Sequence, residues 1–174
     1  INTGSTGATA TAGTTTFSQD IYADTINFSL DSTLTATANK NITANITTTT
    51  DETGTLDINS TASTDSTTIT GTVGAASAIL KDINLGSTAS STVAFSGDVY
   101  TKNITAQAAN TTTFNGDVYV GTDGITFGAT SATIRIADGK SIKQDNGAGG
   151  DVVVTTTGSG TLTFLGESSL TTDF

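Results

Sequence analysis

The side chains that could do chemistry in this chain are almost all carboxylates, since there are 16 acidic residues and no His or Cys. Without His and Cys, no Ser–His or Cys–His pair can activate a nucleophile, and a His/Cys zinc site is excluded as well. Paired carboxylates for glycoside hydrolysis remain available. A sugar-cleaving groove ordinarily adds aromatic platforms, yet the chain has no Trp and only three Tyr. The sequence therefore predicts a protein that is not an enzyme.

Three aspartates, Asp20, Asp98 and Asp117, occupy the same place in a recurring sequence word and are the candidate metal ligands. Stacked carboxylates repel one another unless solvent or a hard cation lies between them, and Ca²⁺ takes several oxygen ligands. The structural alternative is an Asp that accepts a hydrogen bond from the backbone of its own turn. We favour the structural alternative. The sequence thus predicts no cofactor, with calcium at these aspartates as the weaker hypothesis.

The word that contains these aspartates occurs three times: FSQDIY at 17–22, FSGDVY at 95–100 and FNGDVY at 114–119. A second word, KNITA, occurs at 40–44 and at 102–106. Nineteen residues separate the two best copies, and the first copy lies about four such periods earlier. The spacing predicts some eight degenerate units of about 19–20 residues. The expected structural repeat positions are Phe17, Ile21, Tyr22, Phe95, Gly97, Val99, Tyr100, Phe114, Gly116, Val118 and Tyr119.

Units of this length cannot bury a core alone, so they must stack and share one. Threonine makes up nearly a quarter of the chain and Pro is absent, which favours strands over helices. Period-2 alternation puts Thr112, Phe114, Val118 and Val120 on one side of their strands. The sequence predicts a single all-β domain over residues 1–174, folded as a right-handed parallel β-helix (β-solenoid) with coils of about 19–20 residues.

An antiparallel architecture is the alternative, because Asn-Gly and Asp-Gly between strand-like segments are strong hairpin signals. In that arrangement residues 111–114 would pair with 117–120, and residues 133–136 with 141–144. Repeated hairpins of this kind would build a β-sandwich or a meander.

The net charge of −10 argues against a nucleic-acid partner and against docking to anionic lipid. No apolar run approaches the roughly 20 residues of a membrane span. The chain begins at Ile1 without a signal peptide, so we expect a segment of a larger surface protein or a mature product. The absence of Cys excludes a disulfide framework, which leaves backbone ladders and packing to stabilise the fold.

Thr-x-Thr pairs are abundant, and regular rows of them on a flat solenoid face would indicate ice binding. In the sequence these pairs do not recur at the coil period, so we interpret them as a sign of sheet propensity. Ice binding is therefore the third functional hypothesis. The pairs occur at Thr9/Thr11, Thr33/Thr35/Thr37, Thr68/Thr70/Thr72 and Thr161/Thr163.

Several stretches carry a resemblance to a known family: GAASAILKDINL at 74–85, the word at 95–100, ITF at 125–127 and IRIADGKSI at 134–142. They resemble the passenger region of bacterial surface autotransporters, in particular rickettsial outer membrane protein B and related surface-layer proteins. The similarity covers mainly residues 70–145, with a weaker echo at 14–47. It implies a β-helical passenger exposed on the outside of a bacterial cell as a coat or an adhesin.

The leading functional hypothesis is a structural module of the cell surface, namely a coat, surface-layer or filament subunit that assembles with copies of itself. Open solenoid ends invite such pairing. The alternative is an adhesin that binds a host protein or a glycan. An adhesin needs a distinct exposed patch, which Tyr100 and Tyr119 would supply if they face outward.

Overall fold

The computed structural model describes residues 2–3, 12–59, 62–86, 91–107, 109–128, 131–145, 153–156 and 160–171. These residues form β-strands and turns and contain no helix. The strands are β1 (Asn2–Thr3), β2 (Thr14–Phe17), β3 (Ile21–Phe28), β4 (Thr33–Ala36), β5 (Ile42–Thr48), β6 (Thr55–Ile58), β7 (Ser66–Thr70), β8 (Leu80–Leu85), β9 (Thr92–Phe95), β10 (Val99–Ala106), β11 (Thr111–Phe114), β12 (Val118–Phe127), β13 (Thr133–Ile136), β14 (Ser141–Gln144), β15 (Val154–Thr156), β16 (Thr161–Phe164) and β17 (Ser169–Thr171).

Every pairing between these strands is parallel, and each strand pairs with strands of the preceding and following coils rather than with its chain neighbours. One sheet has eight strands in the order β1-β3-β5-β7-β9-β11-β13-β16. The other has nine, with the order β17-β14-β12-β10-β8-β6-β4-β2 and β15 on β12. This topology is a β-solenoid, as the sequence predicts.

The register of the pairs divides each coil into three segments, which stack into three columns. Strands β10 and β12 each pass through two columns, with a register shift after Thr101, and β3 passes through two with a shift after Tyr22. Column 1 holds residues 21–22, residues 42–43, β7, β9, β11, β13 and β16. Column 2 holds β1, 25–28, 45–48, Val73, 99–101, 118–120, β14 and β17. Column 3 holds β2, β4, β6, β8, 103–106, 124–127 and β15.

Coil length varies more than the sequence words indicate. Thr111 stacks on Thr92 nineteen residues earlier, but Thr161 stacks on Thr133 across 28 residues. The described strands make about six coils, whereas the sequence predicts some eight degenerate units of about 19–20 residues over the whole chain. The extra residues enter between strands, where a longer corner does not disturb the stacked segments. The right-handed course of the chain, which nearly all such parallel connections take, stays a prediction.

The antiparallel alternative is excluded by the pairing of β11 and β13. Residues 111–114 pair in parallel with β9 and β13, not with 117–120, and 133–136 pair with β11 and β16, not with 141–144. The sequence Asn115-Gly116 forms a solenoid corner instead of a hairpin turn. A Cβ atom on Gly116 would collide with the backbone of Gly97 in the coil below. Glycine is therefore required here by close approach of two backbones.

The core consists of apolar side chains that alternate inward along each strand and stack from coil to coil. Thr112, Phe114, Val118 and Val120 are all fully or almost fully buried, as their alternation predicts. Each step of a column brings like residues together at the strand spacing of about 4.8 Å. The inward stack of column 1 is Ile42, Ile69, Phe95, Phe114 and Ile136, and that of column 3 is Leu34, Leu56, Ile83, Ile104 and Ile125.

The early copy of the repeated word lies one column out of step with the two later copies. Phe95 and Phe114 lie in column 1, whereas Phe17 pairs with Ala36 in column 3. Ile21 accordingly belongs to column 1, while Val99 and Val118 belong to column 2. The two KNITA words are likewise placed in different columns. The same in–out alternation serves every column, so a shared word does not specify a shared position in the coil.

Candidate functional site

The three candidate calcium ligands do not form one column of carboxylates. Asp20 lies at the corner between columns 3 and 1, whereas Asp98 and Asp117 follow one another at the corner between columns 1 and 2. Each of these carboxylates accepts a hydrogen bond from a backbone N–H of the next coil. These hydrogen bonds run from Asn41 N to Asp20 Oδ1 at 2.9 Å, from Asp117 N to Asp98 Oδ1 at 2.8 Å and from Ser141 N to Asp117 Oδ1 at 2.9 Å.

This arrangement recurs at other corners and is a general device for joining coils. The oxygen of an Asp or Asn side chain takes up an N–H that no strand partner reaches, so a corner backbone group stays paired. The bond runs to the coil above rather than to the residue's own turn, which differs from the expectation for a turn Asp. Further examples are Ser66 N to Asn39, Thr68 N to Asn41, Thr72 N to Asn45, Ile79 N to Asp51 and Glu167 N to Asp138.

Asp117 is the most heavily bonded of the candidate ligands. Besides the Ser141 N–H, it accepts the Ser141 hydroxyl at 3.1 Å and Lys143 Nζ at 2.8 Å. Burial alone would raise the pKa of this carboxyl, but the bonds from Lys143 and Ser141 outweigh it and hold the pKa below its usual value. Among the described residues, no group of three or more His, Cys, Asp or Glu is placed to hold a metal ion. Asp117 thus accepts hydrogen bonds that join two coils and forms an ion pair with Lys143.

Tyr100 and Tyr119 face outward on column 2 and form a stacked pair. Their ring centroids are 4.4 Å apart with an interplanar angle of 1°. Lys143 Nζ lies 5.3 Å from the centroid of the Tyr119 ring and continues the stack upward. Both Tyr side chains are half-buried, so the rings cover each other rather than presenting open faces. We name the stacked Tyr100 and Tyr119 rings the tyrosine ladder. Tyr22 is not part of it, because Tyr22 lies in column 1, opposite Thr43, and is 76% exposed.

The outward side of β7, β9, β11, β13 and β16, which we name face 1, carries two rows of side chains in which eight of the ten positions are Ser or Thr. Inward and outward residues alternate along these strands, so every second residue reaches solvent. The first row is Ser66, Thr92, Thr111, Thr133 and Thr161. The second row is Thr68, Ala94, Thr113, Arg135 and Thr163.

Face 1 aligns single Ser and Thr residues of successive coils, because the variable corners restore register between coils of different length. Thr occupies both rows only in β11 and β16, since Ala94 and Arg135 interrupt the second row, so the Thr-x-Thr pairs do not recur from coil to coil, as the sequence predicts. Thr68, Thr161 and Thr163 come from the pairs noted in the sequence, whereas Thr9 and Thr11 lie outside the described residues. The rows could have been found by aligning strands on the inward residue that closes each column 1 segment, namely Ile69, Phe95, Phe114, Ile136 and Phe164.

The outward side of column 3, which we name face 3, has a different composition. Thr14 and Thr16 begin it and Thr33 and Thr35 follow, but Asp57, Asp82 and Asn103 occupy equivalent outward places in later coils, before Thr105 and Thr126. Burial raises the pKa of the Asp57 carboxyl, although a hydrogen bond from Thr35 works in the opposite direction. Face 3 thus carries carboxylates and amides among its threonines, whereas the two rows of face 1 contain neither group.

Charged side chains are concentrated at the corners and on face 3. Ion pairs join corners of different coils, as between Lys81 and Asp31 at 2.7 Å and between Lys102 and Glu52 at 3.0 Å. On the outward positions of β7, β9, β11, β13 and β16, Arg135 is the one charged residue. The two rows of face 1 therefore contain no acidic residue, although the protein has a net charge of −10.

Among the described residues, the structure contains no helix that is both long and apolar enough to cross a membrane. Comparison of the chain with protein-family models, with curated proteins and with solved structures found no match.

Proposed function

We propose that the chain is a structural module of a bacterial cell surface, a rod-like subunit of a coat, surface layer or filament that assembles with copies of itself. The observation that carries this proposal is the unbroken stack of about six coils, each joined to the next both by sheet ladders and by side-chain bonds at the corners. At the strand spacing of about 4.8 Å, such a stack is a rod roughly 30 Å long. The placement outside the cell rests on the resemblance to autotransporter passengers.

Partly buried apolar side chains at the outermost described coils support assembly along the axis of the rod. Phe17 lies at one end of the described stack, and Leu162 and Phe164 lie at the other, each partly buried and packed against the core. A coil stacked on them would bury this surface and pair the exposed strand edge. A second copy of the chain can supply such a coil, because its own strands have the same length and alternation.

The adhesin hypothesis has weaker support from the geometry of Tyr100 and Tyr119. A sugar ring packs against the open face of an aromatic ring, but here the facing sides of the two rings cover each other. Lys143 lies over Tyr119, so this face of the ladder is covered as well. The ladder therefore fits a role in holding adjacent coils together better than a role as a glycan platform.

Sedimentation velocity and negative-stain electron microscopy of the purified chain over a concentration series, with and without calcium, test the proposal. We expect filaments or ordered assemblies that grow with concentration. Phe17→Asp should suppress assembly by charging the end of the stack, whereas Thr16→Asp, an exposed change in the same strand, should leave it intact. Monomers alone under every condition would contradict the self-assembly proposal, as would equal assembly by the two variants with both folded.

A further inference from the structure

We propose that face 1 is an ice-binding surface, in which the Ser and Thr hydroxyls of its two rows order a layer of water that joins the lattice of an ice crystal. This inference goes beyond the proposed structural role and does not depend on it. It is carried by the register of the strands, by the side-chain chemistry of the rows and by the segregation of charge on the molecule.

The rows form a two-dimensional array whose repeats are set by backbone geometry. Neighbouring strands in a sheet are about 4.8 Å apart, and alternate residues of one strand are about 6.7 Å apart. Thr111, for example, has Thr92 below it, Thr133 above it and Thr113 beside it in the same strand. The surface of a crystal also repeats at fixed distances of a few ångströms in two directions. A protein array with a fixed repeat along and across its strands can therefore match such a surface.

Threonine is suited to hold water in such an array. Its β-branched side chain has restricted χ1 freedom in a strand, so hydroxyl and methyl groups repeat with little loss of entropy on binding. The hydroxyl both donates and accepts hydrogen bonds, as a water molecule in a lattice does. Thr113 and Thr133 are half-buried among their neighbours on face 1, which further limits the motion of these side chains.

Charge separates face 1 from face 3. Ionic side chains hold hydration shells that do not match the ice lattice, so a surface that binds ice must exclude them. Ammonium groups and carboxylates are the most strongly hydrated, and face 1 has neither in its two rows. Its one charged residue is Arg135, whose guanidinium is more weakly hydrated than an ammonium. Face 3 has the same backbone geometry but presents Asp57 and Asp82 outward, so it serves as an internal control.

Thermal hysteresis and inhibition of ice recrystallisation by the purified chain test this inference. We expect both activities in the unaltered chain and a loss of most of the hysteresis in Thr113→Lys, which places a strongly hydrated ammonium in the centre of face 1. Thr126→Lys makes the same chemical change on face 3 of the same coil and should leave the activity unchanged. Arg135→Thr should raise the activity by completing the second row. Circular dichroism of each variant checks that the fold is retained.

Absence of hysteresis and of recrystallisation inhibition in the folded, unaltered chain overturns the inference, whatever the assembly state of the chain. Equal loss in the folded Thr113→Lys and Thr126→Lys variants overturns the assignment to face 1. If Thr113→Lys does not fold, a failure of Arg135→Thr to raise the activity decides against face 1. Self-association that Thr113→Lys abolishes, in a chain without ice activity, would assign face 1 to a second copy instead.

Discussion

Phe95 and Phe114 lie one directly above the other in the core, with ring centroids 4.9 Å apart and ring planes inclined by 16°. Both side chains are completely buried, and Ile69 and Ile136 continue the stack below and above them. Offset stacking adds to the free energy gained by burial of the rings alone. This pair therefore ties two consecutive coils together at the middle of column 1.

Phe114→Ala should lower the free energy of unfolding by about 3–5 kcal/mol, because it leaves a cavity between two coils and removes the stacking with Phe95. Urea unfolding followed by circular dichroism measures the change. Thr113→Ala, the outward neighbour in the same strand, is the control and should change the free energy of unfolding by no more than about 0.5 kcal/mol. Similar losses in both variants would mean that inward and outward positions are wrongly assigned.

Gly116→Ala should also destabilise the fold, by about 1–3 kcal/mol, because the added methyl group would press on the backbone of Gly97 and force two coils apart. Gly13 has nothing within 4 Å of an added Cβ, so Gly13→Ala provides a matched control that should have little effect. The midpoint of thermal unfolding compares the two variants. An Ala at position 116 that proved as harmless as one at position 13 would contradict the close approach at this corner.

The pairing of Phe95 with Phe114 could be predicted from the sequence because the two words containing them lie nineteen residues apart, which is the length of one short coil. The position of Phe17 could not be predicted in the same way. Every column uses strands of similar length with the same alternation, so the word that fits column 1 at Phe95 also fits column 3 at Phe17. Which column a strand enters depends on the corners before it, and their lengths vary.

The variation in corner length is also the reason that the rows of face 1 could not be recognised in the sequence. Thr92, Thr111 and Thr133 lie at unequal distances along the chain, yet they occupy one row because the corners absorb the difference. A search for a fixed period discards such rows. The lateral hydroxyl array is a property of strand register, and register is fixed only when the inward residues of consecutive coils pack together.

Two aspartates should respond to pH in opposite directions. The pKa of Asp117 is lowered in the folded state, so its carboxylate stabilises the fold above the ordinary Asp pKa of about 3.9, and this contribution is lost as the pH falls through the folded value. The pKa of Asp57 is raised by burial, so its ionised form disfavours the fold at neutral pH, and the penalty disappears on acidification.

At pH 7, Asp117→Asn should therefore lower the free energy of unfolding, by about 1 kcal/mol, while Asp57→Asn should leave it unchanged or raise it. As the pH falls below the folded pKa of each carboxyl, the corresponding variant should converge towards the unaltered chain, since the native carboxyl becomes protonated as well; this should happen at a lower pH for Asp117 than for Asp57. Urea unfolding over a pH series measures both effects. A loss of stability in Asp57→Asn larger than that in Asp117→Asn at pH 7 would contradict the assigned environments.

The stacked Tyr100 and Tyr119 rings should be energetically coupled. A double-mutant cycle with Tyr100→Ala and Tyr119→Ala should give a coupling free energy of about 0.5–1.5 kcal/mol, as expected for an aromatic pair in contact. A second cycle that combines Tyr22→Ala with Tyr119→Ala provides the control, because Tyr22 is exposed and lies in another column. Coupling that is equal in the two cycles would argue against the ladder.

The parallel register of consecutive coils underlies both the rod and face 1, and disulfide trapping tests it most directly. The chain has no Cys of its own, so a pair introduced by Thr92→Cys and Thr111→Cys reports on that contact alone. Adjacent in-register residues lie within the range of about 4.4–6.8 Å between Cα atoms that a disulfide spans. A hairpin of 111–114 with 117–120 would instead place Thr111 opposite Val120.

Mass spectrometry after tryptic cleavage at Lys102 should find the oxidised Thr92→Cys/Thr111→Cys variant as a cross-linked pair of peptides, formed within one monomer. The Thr111→Cys/Val120→Cys variant should remain unlinked under the same conditions. Efficient linkage in the second variant and none in the first would contradict the stacked coils and, with them, the hydroxyl rows of face 1.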